Sequence, residues 1–382
     1  MDIWEKGEFQ LLFESTHRDL QASLSKAQGT TTPEQRAKTY HAKVLRGNLR
    51  GAVRYITDRE KGGILYPDDI DEKTGLPVSD SLRDKHPANR AVNPSDLPTY
   101  QSTPCLVPSG ITEEAVLEVA NKLSGSAGLG GMDSILLKHL LLRHGKASRR
   151  LRIAVANFTE WMANDTPPWA ATRALMSGRL VALDKSPGVR PIGLGETWRR
   201  LISKCFLVVA GFEAKEACGT VQLCAGLEAG VEAAIHSMNE IWKRMEDEEF
   251  WGFLLVDASN AFNELNRLLM LWTIRHEWPQ GARFVFNCYK HWSILLVRGK
   301  DGAGLIVFSK EGVTQGDPLS MFAYGVATLP LIRYLKSKFP TLYQTSHSDD
   351  ASASGPLELI RDYFRELEKV GPKYGYFPEP SN

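Results

Sequence analysis

Apolar positions recur at helical spacing in some blocks of the chain and run together or alternate in others. After Thr112, with Glu114 behind it in a capping arrangement, Val116, Val119, Ala120 and Leu123 share one helical face. A loop, "GSAGLGGMDS", precedes a second helix through "LLKHLLLRHG", and a third lies around Leu151–Met162. The spacing then switches. Leu180–Leu183 and Val189–Leu194 flank Ser186-Pro187-Gly188, which predicts a hairpin, and the basic helix "ETWRRLISKCFLVVAG" follows. "CGTVQLCAGLEAGVEAAIHSMNEIW" reads as a Gly/Ala-rich loop running into a helix. Gly252–Val256 predicts a buried strand ending at Asp257, followed by a helix packing through Phe262, Leu265, Leu269 and Trp272.

"SILLVRG" and "GLIVFS" predict a second hairpin around "KDGAG". The turn "EGVTQGDPLS" leads into a long apolar helix bent at Pro330. A last amphipathic helix, from Pro356 to Gly371, carries Leu359, Ile360, Tyr363, Phe364 and Leu367 along one face. Two segments lie ahead of these. Residues 1–61 read as a basic helical extension with no proline between Pro33 and Pro67. Residues 62–110, rich in Gly, Pro, Asp and Ser, read as a linker and mark the expected domain boundary. No internal repeat is visible.

Composition narrows the class. The chain has 382 residues, 43% hydrophobic and 24% charged, which suits a globular protein with a real core. It lacks a run of 18 apolar residues and the basic-then-apolar order of a signal peptide, so the expectation is a soluble intracellular protein without a membrane partner. Five scattered cysteines, with no C-x-x-C, argue against a zinc site or disulfide framework. The net charge of +1 conceals segregation. Lys and Arg dominate residues 36–61 and 143–204, whereas acids dominate 240–264. Such zoning suits one region gripping a polyanion and another holding cations, although solvated helix faces would look the same.

"SHSDDASASG" places Asp349 and Asp350 side by side among small residues at an expected hairpin turn. Adjacent carboxylates repel, so a solvated acidic turn or a bound cation must compensate them. Asp257 ends a strand some distance before them. If the two strands are neighbours in an antiparallel sheet, three carboxylates converge at one edge. Hard divalent cations favour such oxygen ligands, and two ions ~3.5–4 Å apart can drive an in-line phosphoryl displacement. Lys185 and Arg190 flank the tip of the first hairpin and suit a triphosphate, though basic hairpins are common. Gln315, between the glycines of "GVTQGDPLS", offers both donor and acceptor close to a flat ligand; a turn that merely starts a helix is the alternative. Phe262 could lie under an incoming sugar and exclude a 2′-hydroxyl, or be a core aromatic.

"FLLVDASNAF", "GVTQGDPLS" and "SHSDDASASG", in this order, resemble the palm motifs of reverse transcriptases, and "DKSPGVRPIGLGETWRRLISK" resembles their fingers motifs. The flavour is that of non-LTR, LINE-like retrotransposons, over roughly residues 110–382. The resemblance implies an α+β, right-hand polymerase fold, with fingers over 111–250 and a palm over 251–382 built on an antiparallel sheet with packed helices. It implies an RNA-directed DNA polymerase with Mg²⁺ or Mn²⁺ on Asp257, Asp349 and Asp350. Lys185, Arg190, Phe262 and Gln315 would bind the dNTP, and His347, Gly316 and Pro318 would pack against the primer end and template. The partners implied are an RNA template, a DNA or RNA primer and dNTPs, in a nucleus.

Three positions depart from the pattern. His347 stands where an aromatic, often Tyr, is usual. Ala225 stands where relatives often carry Arg. The sequence stops at "YFPEPSN", where relatives continue with a Lys near position 382 and then a thumb, so the expected form is truncated after the palm, thumb absent. The competing expectations are an inactive remnant or RNA-binding protein without catalysis, and an RNA-dependent RNA polymerase, against which Phe262 argues.

Overall fold

The computed structural model describes residues 33–47, 52–53, 63–106, 110–185, 187–225, 228–300 and 304–379. The chain forms two units, residues 1–63 and 64–382. In the first, helix α1 (Pro33–Leu45) starts on a proline, whose missing N–H costs a helix start nothing, with Glu34 in its first turn and Lys43 in its last. The rest of the expected helical extension, apart from residues 46–47 and 52–53, lies outside the described residues.

The second unit has a mixed α/β architecture with two sheets. In the first sheet β2 (Gly178–Asp184) pairs along its whole length with β3 (Val189–Gly195), the expected hairpin. The other edge of β2 takes β1 (Ile64–Leu65) at Ala182 and Leu183 and, in parallel, β5 (Ser293–Arg298) at Gly178 and Arg179. β6 (Gly304–Ser309) completes the sheet as a hairpin with β5. Strand alternation buries Leu180, Ala182, Val189, Leu295, Val297 and Val307 on one face. There, helix α2 (Val78–Asp84) supplies Val78 and Leu82, four residues apart. On the other face Arg179, Val181 and Ile192 are half-buried, while Ile294, Ile306 and Phe308 at the β5–β6 end are exposed. The segment expected to be a linker therefore contributes a strand and a packed helix. Its turn-rich composition hides them, because α2 needs only two apolar side chains to cover its share of the sheet.

After α2 and a short 3-10 turn at Pro94–Asp96, the chain forms α3 (Glu113–Lys122), α4 (Ser134–Leu142), α5 (Lys146–Asn164), α6 (Trp169–Met176) and α7 (Thr197–Cys218). Thr112 caps α3 by accepting from the Ala115 N–H at 3.3 Å. Helix α8 (Gly230–Met245) leads to the second sheet, where β4 (Trp251–Ala258) is central. The short α9 (Ala261–Glu264), α10 (Arg267–Glu277), α11 (Pro279–Tyr289), α12 (Ser320–Lys338) and α13 (Leu357–Tyr374) pack with α7 and the earlier helices around one large core. The rings of Phe206 and Phe284 stack in that core with centroids 4.3 Å apart.

In the second sheet β8 (Asp350–Pro356) runs antiparallel to β4 from Trp251 to Val256, and β7 (Tyr343–His347) lies outside β8. β9 (Pro378–Glu379) takes the other edge of β4 at Asp257 and Ala258. The chain reaches β9 because α13 runs past Gly371, where it was expected to end, to Gly375 in the left-handed region (φ +78°). Pro330 sits inside the single helix α12. The expected fingers and palm segments do not divide the sheets cleanly: β5 and β6 come from the second segment but join the first sheet. No described helix is long and apolar enough to cross a membrane.

Candidate active site

The end of β4 sets the site. Val256 and Ala258 are buried, whereas Leu255 and Asp257 face outward, as alternation in a half-covered strand requires. Register sets Val256 opposite Ala351, which brings Asp257 level with Asp350 on one side, while Glu379 pairs with Asp257 on the other. His347 and Asp350 close a two-residue hairpin loop of Ser348 and Asp349. Ser348 takes φ +58°, the positive value such loops require at their first position. The expected hairpin turn and neighbouring strands are both present.

The three carboxylates share this edge of the sheet, but they do not all border one hollow. Among the described residues, no three Asp, Glu, His or Cys side chains gather closely enough to hold an ion. Asp257 and Asp349 border one cleft of about 400 Å³, whereas Asp350 borders a separate groove of about 730 Å³ beside α8, with His347. Asp257 borders both. Asp349 belongs to the turn and Asp350 opens β8, and the two consecutive side chains border different hollows. The three charges still feel one another. Partial burial, then Asp349 and Asp257, raise the Asp350 carboxyl above its ordinary value, and His347 only partly offsets them.

The cleft gathers the other expected side chains from separate parts of the chain. Lys185, Arg190, Phe262 and Gln315 all border it. Lys185 and Arg190 are exposed, and the Lys185 N–H donates to the Gly188 carbonyl at 2.8 Å to close the hairpin. Phe262 packs on the core, its ring 4.9 Å from the Tyr324 ring, and also borders the cleft. Gln315 is held by its backbone, whose carbonyl accepts from the Gly193 N–H at 2.8 Å.

Gly316 and Pro318 are not at the cleft. Gly316 has φ +105°, and a Cβ there would lie 2.5 Å from the Gly193 carbonyl oxygen, so this glycine admits strand β3 rather than a flat ligand. Pro318 borders a small cavity with Arg199 and Asp317. Asp317 is buried and accepts from Arg199 and from the Tyr289 hydroxyl, the latter at 2.5 Å. That ion pair anchors the Gln315 loop to α7.

Several residues at the site were not expected. Lys73 and Lys85 border the cleft from the supposed linker. Burial, then the neighbouring charges of Lys185 and Lys73, depress the Lys85 ammonium. Lys73 pairs with Glu379 at 3.1 Å, and the Asn260 amide donates to the Lys85 carbonyl at 2.9 Å, tying α2 to the end of β4. The Tyr376 hydroxyl donates to the Asp349 carbonyl at 2.8 Å. Gln222 is fully buried and bonds both backbone groups of Ser348. Ala225 is buried beside it, while Gly226 and Leu227 lie outside the described residues, as does Asn382.

No protein-family model and no curated protein sequence matches the chain. Among solved structures, an apo telomerase from Candida tropicalis truncated from its C-terminal domain aligns at 15% identity over 54% of this chain and 49% of its own, with a TM-score of 0.40. A telomerase from Candida albicans, in complex with the TWJ fragment of telomeric RNA, aligns at 12% identity over 62% of this chain and 46% of its own, TM-score 0.42. An apo telomerase from Candida tropicalis gives 11% identity over 56% and 45%, TM-score 0.43. The chain spans less than half the length of each. These likenesses are shallow, and the functional reading rests on this chain's own residues.

Proposed function

We propose that this chain is the catalytic region of an RNA-directed DNA polymerase of the non-LTR retroelement kind, with a right-hand fold and a nuclear setting. One observation carries the reading. A single cleft brings Asp257, Asp349, Lys185, Arg190, Phe262 and Gln315 together from four separated stretches of sequence. Each has the chemistry that the resemblance of its motif implies.

The metal can be tested against the residues present. None of the Asp257, Asp349 and Asp350 carboxylates accepts a hydrogen bond or pairs with a cation among the described residues, and His347 offsets only part of the charge crowding at Asp350. Hard oxygen donors in that state suit a divalent cation. Asp257 and Asp349 would hold Mg²⁺ or Mn²⁺ from the cleft, with Asp350 approaching from the adjoining groove. When bound, the metal supplies a more acidic attacking hydroxyl and charge neutralisation on the leaving group.

The reaction is an in-line displacement. The primer 3′-hydroxyl oxygen bonds to the α-phosphorus of the dNTP. The bond from that phosphorus to the oxygen bridging to the β-phosphate breaks, pyrophosphate leaves, and the hydroxyl proton passes to solvent. Lys185 and Arg190, with Lys73 and Lys85 opposite, hold the triphosphate by charge. Phe262 lies beneath the sugar, and Gln315 meets the base pair being formed. His347 borders the neighbouring groove, where the primer end would lie.

The second reading is an RNA-binding remnant without catalysis. It is favoured by the absence of a three-carboxylate cluster among the described residues. Primer extension on an RNA template with dNTPs and Mg²⁺, for this chain and its Asp349→Ala variant, decides between them. Extension by the parent alone supports the polymerase. Template binding without extension by either supports the remnant and overturns the polymerase.

A further inference from the structure

Away from the cleft, a groove of about 470 Å³ runs between α6 and the end of the β5–β6 hairpin. Its walls are aromatic and left open to water: Trp292 is 54% exposed and Phe308 43%. Isolated exposed apolar side chains need no explanation, but a contiguous aromatic groove marks a contact surface. Cations frame it. The Lys310 ammonium lies 4.6 Å from the centre of the Trp292 ring and 5.8 Å from that of Phe308. Arg173, exposed on α6, borders the same groove. No Asp or Glu borders it among the described residues.

Aromatic faces alternating with cations, without acids, match one chemistry: nucleobases that stack and phosphates that pair. A duplex keeps its base faces stacked on one another and offers none to Trp292 or Phe308. We propose that this groove binds an unpaired RNA strand, with bases on Trp292 and Phe308 and phosphates on Lys310 and Arg173. The choice of RNA over DNA rests on the polymerase reading above, but the groove itself does not. Register sets Ile294 opposite Phe308, and exposed Ile306 continues the apolar lining along the β5–β6 end of the first sheet. A strand bound here would thus run on along the β5–β6 hairpin.

The test is equilibrium binding of a labelled, unstructured RNA oligonucleotide to the full chain, read by fluorescence anisotropy. Trp292→Ala should weaken binding about tenfold or more, as removal of one stacking ring does. Trp292→Phe, which keeps a ring, should stay close to the parent. Lys310→Glu should weaken binding and flatten the salt dependence by about 0.7 in log–log slope for each phosphate no longer neutralised. Asp349→Ala should bind RNA like the parent while failing at extension, so that failure of the catalytic reading remains distinguishable. Unchanged affinity in Trp292→Ala would overturn the proposal. So would tighter binding of single-stranded DNA, or of an RNA duplex, at this groove.

Discussion

Gln222 holds Ser348 by both of its backbone groups: its amide oxygen accepts from the Ser348 N–H at 2.8 Å, and its amide nitrogen donates to the Ser348 carbonyl at 3.1 Å. A second bond, from the Leu223 N–H to the Ser346 carbonyl at 2.8 Å, fixes the strand just before it. The hairpin that carries Asp349 and Asp350 is thus clamped from the side by a loop far away in sequence. Buried amides of a loop have no water to fall back on, so the clamp decides the loop's conformation as well as its stability.

Gln222→Leu keeps the volume, leaves the two buried backbone groups of Ser348 unpaired and removes the weaker bond from the part-buried Cys224 N–H. Unfolding in urea should show a loss of about 2–6 kcal/mol, from ~1–3 for each unsatisfied group. Extension should also fall under conditions where the variant is fully folded, because Asp349 is no longer held. Full activity in a destabilised variant would show that the clamp serves stability alone.

The raised Asp350 carboxyl fixes the sign of a pH effect. Between the ordinary value of 3.8 and its raised folded value, the folded chain keeps a proton that the unfolded chain has lost. Stability from this group therefore falls as pH rises through that window, and the ionised form weighs against folding at neutral pH. Asp350→Asn should melt at a higher temperature than the parent at pH 7 while losing extension. Added Mg²⁺ should raise the melting temperature of the parent more than that of the variant. A lower melting temperature in Asp350→Asn would contradict the charge-crowding account.

The cleft was largely legible in the sequence because its motif residues sit where local signals are strong. Asp257 ends an apolar run, Asp349 lies in a turn among small residues, and Lys185 lies at a hairpin tip. Lys85 and Glu379 carried no such signal. Lys85 follows a helix with a two-residue apolar stripe, and Glu379 belongs to a two-residue strand, too short for any periodicity. The meeting of Asp257 with the Asp pair was expected from neighbouring antiparallel strands, and the β4–β8 register sets Asp257 level with Asp350. Which hollow each carboxylate borders depends on the turn, which the strand pattern does not encode. The joining of β5 and β6 to the first sheet depends on a two-residue parallel pairing with β2, which no local pattern reveals.

Lys85 gives a test of the unexpected side of the cleft. Lys85→Met keeps the aliphatic stem and removes a charge that burial and its cationic neighbours disfavour. KM for dNTP should rise about tenfold with kcat little changed, the pattern expected when a ground-state phosphate interaction is removed. In the parent, KM should climb as pH rises through the depressed Lys85 value, and the variant profile should be flat there. An unchanged KM would remove Lys85 from the triphosphate site.

The Arg199–Asp317 pair makes the Gln315 loop costly to disturb. Both side chains are nearly inaccessible, at 5% and 4% exposure. Burial opposes the Arg199 charge most strongly, but Asp317, with Cys288 and Tyr289, together outweigh it and hold the guanidinium protonated. Asp317→Asn leaves that cation uncompensated and should cost about 3–5 kcal/mol. The Arg199→Met, Asp317→Leu double variant should recover part of the loss, because neither charge is then stranded. A double variant less stable than the single would show that the pair is net favourable beyond mutual compensation.

Phe262 can separate DNA synthesis from RNA synthesis at this site. Its ring leans on the buried Tyr324 ring at 32° on one side and borders the cleft on the other, so a substitution must be read on two scales. Phe262→Val should cost about 1–2 kcal/mol of stability, below the cost for a fully buried ring because only part of the side chain is enclosed. If the ring closes the space that a 2′-hydroxyl would need, kcat/KM for an NTP should rise relative to that for its dNTP, by about tenfold or more in the ratio. Single-nucleotide incorporation on an RNA template measures both rates. A stability loss with an unchanged ratio would make Phe262 a core residue only, and the case against RNA synthesis would then rest on other residues.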